Sequence, residues 1–147
     1  MQTQKIRNKE RGATLVEFSI AATVFLMAMF TVIEFGRALW THNALMDAAR
    51  RGARYAVVHR QDEMGDVKNV VVYGDPAGGT KPIVENLTTD NVNVDYSNFT
   101  LAGGTVQVTI TDYKFQFVIP IVGTQIQMPN YTTTLTGESV GTVPATL

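Results

Sequence analysis

Few residues of this chain could do chemistry, and the two most informative stand near its start. Gly12 follows Lys5, Arg7, Lys9 and Arg11, with Glu10 the only acid among them, and it opens a long apolar run. Glu17 is the only charge among the 21 residues from Ala13 to Ile33. A carboxylate at the centre of a membrane-length apolar segment costs roughly 2.5–3.5 kcal/mol. Such a group is expected to serve as a partner for another charge. Elsewhere the chemistry is thin. His42 and His59 are the only histidines, and there is no cysteine. This excludes a disulfide framework, a thiolate zinc site and a cysteine nucleophile. Asp62, Glu63 and Asp66 cluster, but without the ligand order or glycine of an EF-hand loop. Gly78-Gly79-Thr80-Lys81 lacks the order of a phosphate loop and reads as a turn. No serine sits in a nucleophile elbow. No acid, base and nucleophile can be assembled, so the chain reads as a non-enzyme that needs no cofactor or metal.

The element that carries Glu17 sets the next question. At about 1.5 Å per residue, a helix over Ala13–Ile33 reaches about 31 Å, close to the ~30 Å hydrocarbon core of a bilayer. A cleavable secretory signal has an apolar region of only about 7–15 residues and a small-x-small site. The helix of a soluble core would show a polar face, which Phe18 to Ile33 lacks. A plain membrane anchor and an anchor processed at Gly12 are the remaining readings. The leader carries four Lys/Arg, and the twenty residues after Ile33 carry three, Arg37, Arg50 and Arg51. That count slightly favours a cytoplasmic N-terminus. The chain has 147 residues and a net charge of -1, so no global field suggests nucleic acid.

The helix is expected to continue past Ile33, through Glu34-Phe35-Gly36-Arg37-Ala38-Leu39-Trp40 at the membrane interface, where tryptophan is favoured. No proline appears before Pro76. Projected at 100° per residue, Ala38, His42, Leu45, Ala49, Gly52 and Ala56 line one stripe. Asp47, Arg50, Arg51 and Arg54 line the other face, where Asp47 can pair with Arg50 and Arg51. The arginines form a solvated face that is also available for subunit or headgroup contact. His42 reads as a packing residue, and His59 falls near the helix end, where its ring suits the dipole.

The remainder reads as β-structure. Val70-Val71-Val72-Tyr73 is a strand candidate closed by the loop Gly74–Gly79. Val92, Val94 and Tyr96 alternate with polar residues, as do Val106, Val108 and Ile110 after Gly103-Gly104. Tyr113, Phe115, Phe117 and Ile119 alternate on odd numbers, so a bulge or bend is expected near Thr111-Asp112. Ile126, Met128 and threonines 132–134 suggest a last strand, at an edge or frayed. Asn86, Asn98 and Asn130 each begin an Asn-x-Thr triplet, as chance allows in such a composition. The expected fold is α+β: a long N-terminal helix packed on a small antiparallel sheet. The expected segments are a leader over 1–12, a membrane half over 13–33, an amphipathic continuation over 34–60 and a β-rich head over 61–147.

Arg11-Gly12 followed by Ala13-Thr14-Leu15-Val16-Glu17-Phe18 resembles the processing site of type IV prepilin-like proteins. Together with Phe35-Gly36-Arg37 and Ala48-Ala49-Arg50-Arg51-Gly52-Ala53-Arg54-Tyr55-Ala56-Val57, it is similar to the TadE-like pseudopilins of type IVb (Flp, tight-adherence) pilus systems. The resemblance covers about residues 11–75 and implies a pilin-like fold. It implies that a prepilin peptidase, a membrane aspartic peptidase, cuts after Gly12 at the cytoplasmic face. Ala13 then becomes the first residue and Glu17 the fifth, and Glu17 and Phe18 serve recruitment and assembly. Implied partners are that peptidase, other pilin or pseudopilin subunits, the Tad inner-membrane assembly platform and membrane lipid, with no nucleic acid. The implied location is the bacterial inner membrane, single-pass, with the C-terminal part periplasmic and the pilus or cell surface a later destination. Phe18 stands where type IVb major pilins usually have tyrosine, and the chain is longer than those pilins, which points to a minor pilin or pseudopilin. The resemblance also suggests roles in pilus biogenesis, adhesion and secretion.

Cleavage at Gly12 would create an ammonium at Ala13 that Glu17, on its own or a neighbouring subunit, could neutralise. It would leave 8 Lys/Arg against 12 Asp/Glu, and removing the basic leader would relax the positive-inside constraint. The alternative function is a single-pass membrane-anchored periplasmic or surface module that binds a ligand through the sheet.

Overall fold

The computed structural model describes residues 3–59, 61–100, 103–118 and 125–137. Helix α1 spans Thr3–Val58 without interruption. It is followed by a short 3-10 turn at Gln61–Glu63 and by helix α2, Met64–Tyr73. Five strands come next: β1 Val92–Thr100, β2 Gly103–Ile110, β3 Lys114–Gln116, β4 Gln125–Gln127 and β5 Tyr131–Thr136. This is the expected α+β arrangement, a long N-terminal helix on a small antiparallel sheet. Two compact units emerge. Among the described residues, one holds 3–37 together with Phe117 and Val118; the other holds Ala38–Gln116 and 125–137.

In the first unit α1 stands almost bare. From Gly12 to Arg37 only Glu34 is buried. The hydroxyls within the apolar stretch are satisfied locally, Ser19 Oγ donating to the Leu15 carbonyl, Thr23 Oγ1 to Ser19 and Thr31 Oγ1 to Met27, each at 2.8 Å. Such i−4 back-bonding leaves these side chains without need of water, which hydrocarbon surroundings require.

In the second unit the amphipathic half of α1 meets the core. Leu45, Ala48, Ala49, Gly52, Ala53 and Ala56 are buried, so the expected stripe is the packing face. Gly52 is its closest point: a Cβ there would lie 2.2 Å from Val71 Cγ2 and 3.5 Å from Val108 Cγ1. Helix, helix and sheet therefore converge on a residue without a side chain. His42 Nδ1 and the Tyr131 hydroxyl lie 2.8 Å apart, tying α1 to β5. At the helix end His59 Nδ1 lies 2.8 Å from the Tyr55 carbonyl, and the two rings stack at 3.6 Å.

Val70-Val71-Val72-Tyr73 is not a strand. It forms the last turn of α2, whose Val67, Val70, Val71 and Val72 are buried. Valine repeats suggest β-structure by propensity, but packing overrides a propensity worth only tenths of a kcal/mol per residue. The chain also carries helix punctuation here. Asp66 lies in the first turn, and Gly74 at φ 79 ends the helix with its N–H on the Val70 carbonyl at 3.0 Å. That is an αL cap, which glycine adopts without a Cβ penalty.

The main sheet has the order β1-β2-β5. Pairs Val92↔Ile110, Val94↔Val108 and Tyr96↔Val106 stack on one face of β1 and β2. Strand β5 continues them with Ile110↔Tyr131 and Val108↔Thr133, so the threonine-rich segment is an edge strand. The phase change near Asp112 is a bend between two sheets. Asp112 takes φ 57, and β3 pairs with β4 in a separate two-stranded ribbon, Phe115↔Ile126. Tyr113 and Phe115 are buried; Ile119 lies outside the described residues. Asn86 and Asn98 also take positive φ, 63 and 50. The left-handed region tolerates asparagine, which accounts for these residues with no appeal to glycans.

Candidate functional site

Gly12, Ala13, Glu17 and Phe18 all lie on the exposed, continuous α1. Nothing comes within 4 Å of where a Cβ on Gly12 would stand, and its φ is not positive. Glycine in a helix interior costs about 1 kcal/mol relative to alanine. Neither close packing nor backbone geometry requires a glycine there. Ala13 and Glu17 are i and i+4, on one face and about 6 Å apart along the axis. Glu17 makes no ion pair among the described residues. Phe18 is 70% exposed beside it.

The apolar run around this site is uncovered. Its most apolar 18-residue window has a mean hydropathy of 2.1, and none of it is buried by the chain itself. Leu15, Val24, Phe25 and Val32 each expose more than half of their surface. A continuous apolar surface of this size calls for lipid or other protein, and by length and composition the helix can cross a membrane.

The three arginines part company. Arg50 reaches Asp47 at 3.3 Å, an exposed pair. Arg54 is exposed. Arg51 is half-buried, and its Nε donates to the Val70 carbonyl at 3.4 Å, a cation at the C-terminal end of α2. Its i+4 spacing from Asp47 is therefore not used. Asp62, Glu63 and Asp66 lie in the 3-10 turn and the first turn of α2, where acids complement helix N-termini. A groove of about 310 Å³ lies between α1 and β5, lined by His42, Met46, Arg50, Asn130 and Tyr131 among others.

Residue reasoning from the sequence missed Glu34. It is 6% exposed, accepts from Arg37 Nη at 3.2 Å, and its Oε1 accepts from the Val118 amide at 3.3 Å. The signal available was an acid directly after the apolar run, followed by an arginine at i+3.

Residues 12–54 match the family model for TadE, described as TadE-like protein. The matched segment is less than a third of the chain, and it contains Gly12, Ala13, Glu17, Phe18 and all three arginines. No curated protein and no solved structure matches the chain.

Proposed function

We propose that this chain, TadE-like over residues 12–54, is a minor pilin or pseudopilin of a type IVb tight-adherence pilus system. The TadE-like family is a structural one and ties the chain to pilus components in general. The finer reading is that a prepilin peptidase cuts between Gly12 and Ala13. Its main support is the combination of an exposed helical glycine that the fold does not need with an uncovered apolar helix bearing one acid. Cleavage frees an ammonium at Ala13, one turn from Glu17 and on the same face. Glu17 also lies in the first turn of the shortened helix, where a carboxylate complements the dipole. In a bundle of such helices an unpaired charge is costly, so pairing Glu17 with its own or a neighbouring Ala13 amine favours one register. Phe18, exposed beside it, packs in that bundle. Arg50 and Arg54 are the charges left facing solvent for a subunit or headgroup. In this reading the N-terminus is cytoplasmic, the sheet periplasmic, and the Tad platform and other pilins are the partners. Adhesion and secretion are downstream of assembly.

N-terminal sequencing of the membrane-extracted protein tests this. Ala13 as first residue supports the reading; an intact Met1, or a cut beyond Ile33, overturns it. The groove between α1 and β5 favours a second reading, an anchored binding module. A Glu17→Ala variant separates the two: an anchor tolerates it, whereas a pilin-like subunit loses assembly.

A further inference from the structure

Glu34 is the sole buried residue between Gly12 and Arg37, and it directly follows the apolar run. Its carboxylate holds the backbone of a segment more than eighty residues away, taking the Val118 N–H on Oε1 while Arg37 pairs with Oε2. Phe117 and Val118 group with the residues up to Arg37 and not with the strand they follow. The bond to Val118 is made by its backbone amide, and its side chain is 73% exposed. Phe35, adjacent to Glu34 on α1, is 65% exposed. The sequence from Phe117 to Thr124 carries no charge.

We propose that Val118, pinned by its amide to Glu34, and Phe35 form a second lipid contact at the boundary where α1 leaves the bilayer. The occupant is lipid because Phe35 stands two residues past Ile33, the end of the apolar run, and Val118 is held to Glu34, the residue between them. At about 1.5 Å per residue, Val118 is held level with the end of that run, at the headgroup–acyl boundary. The bonding suits such a place. An amide that leaves water needs an acceptor, and a carboxylate there needs donors. Glu34 and Val118 satisfy each other, and Arg37 donates to the second carboxylate oxygen. Glu34 is thus a positioning residue that sets the depth of an apolar side chain from the far end of the sequence.

The inference rests on the reading of residues 13–33 as a membrane span, and one experiment separates the two. The chain has no cysteine, so single cysteines at Val118, Val24 and Asn93 carry an environment-sensitive fluorophore without background. Full-length protein is reconstituted in phosphatidylethanolamine–phosphatidylglycerol vesicles containing lipids with a nitroxide on the upper acyl chain. We expect quenching at Val118 roughly threefold that at Asn93, as for a side chain at the headgroup–acyl boundary. Val118 behaving like Asn93 while Val24 is quenched overturns the inference and leaves the span intact. No quenching at Val24 overturns both. Protection of Val118 from aqueous iodide without lipid quenching, lost as protein is diluted in the bilayer, identifies a second copy as the cover and also overturns it. Glu34→Ala should lower Val118 quenching toward the Asn93 level while Glu34→Gln, which keeps an acceptor, preserves it. Equal signals in both variants overturn the role of Glu34.

Discussion

Helix α1 is one continuous element with two surroundings. From Gly12 to Arg37 its large apolar side chains are exposed and its one buried group is a carboxylate; from Ala38 to Val58 the stripe Ala48, Ala49, Gly52, Ala53 and Ala56 is buried, while Asp47, Arg50 and Arg54 are exposed and Arg51 turns toward α2. The backbone hydrogen bonding is the same in both halves, so the difference lies in the side chains and in what must cover them. The first half is suited to lipid or a helical bundle, the second to a sheet of its own chain. Glycine marks the contrast. Gly52 is dictated by Val71 and Val108 against it, whereas Gly12 faces open space.

The strongest way to break this comparison is to replace Gly12 by valine. A Cβ at this position meets nothing within 4 Å, so the melting temperature should be unchanged. Processing should be lost outright, read as retention of Met1 by N-terminal sequencing and as absence of pili. Normal processing and piliation would falsify the distinction between the two glycines. In the head, Leu45→Ala removes a fully buried side chain and should cost about 2–5 kcal/mol in urea unfolding of the detergent-solubilised chain. Gly52→Ala should cost about 1–3 kcal/mol, because Val71 is stiff at χ1 and cannot easily give way. The matching change in the bare half, Gly36→Ala, meets nothing within 4 Å and should be neutral or slightly stabilising by the same assay.

Smaller effects sharpen the picture. Burial raises the pKa of Tyr96 and of Tyr131, with Glu63 adding to the shift at Tyr96. A raised value favours the neutral phenol in the folded state. That stability is therefore fully present below the ordinary tyrosine pKa of about 10 and is lost as pH rises through the shifted values. The urea midpoint should fall from about pH 10 upward, and Tyr131→Phe should flatten part of that fall. At neutral pH the same variant loses the bond to His42 and should cost about 1 kcal/mol. Arg50→Ala breaks an exposed pair with Asp47 and should change stability by less than about 1 kcal/mol, while any effect on assembly would show up in pilus counts.

Much of the fold was legible where periodicity was long. The stripe Ala38–Ala56 needed only the helical repeat, and β1 and β2 needed only alternation. Val70–Tyr73 was misjudged because four residues are too few to show a period and valine favours strands. The wider pattern of Val67, Val70 and Val71, with Gly74 as stop, held the answer. Arg51 was assigned to the outer face by projection alone, but the carbonyl it bonds belongs to α2, whose position no local pattern states. At the candidate site, Gly12 and Glu17 stood out because a helical glycine and a lone acid in a long apolar run break local rules. Glu34 did not, since an acid after an apolar run is ordinary on its own.

The sequence by itself determined the apolar length of α1, its small-residue stripe, the alternation of the strands and the position of the lone acid. All of these are properties of residues near one another along the chain. Only the tertiary structure decided that Val70–Tyr73 is helical, that Arg51 turns inward and that Glu34 holds Val118. Each of those depends on contacts between residues far apart in sequence, where burial and hydrogen bonding outweigh local preference.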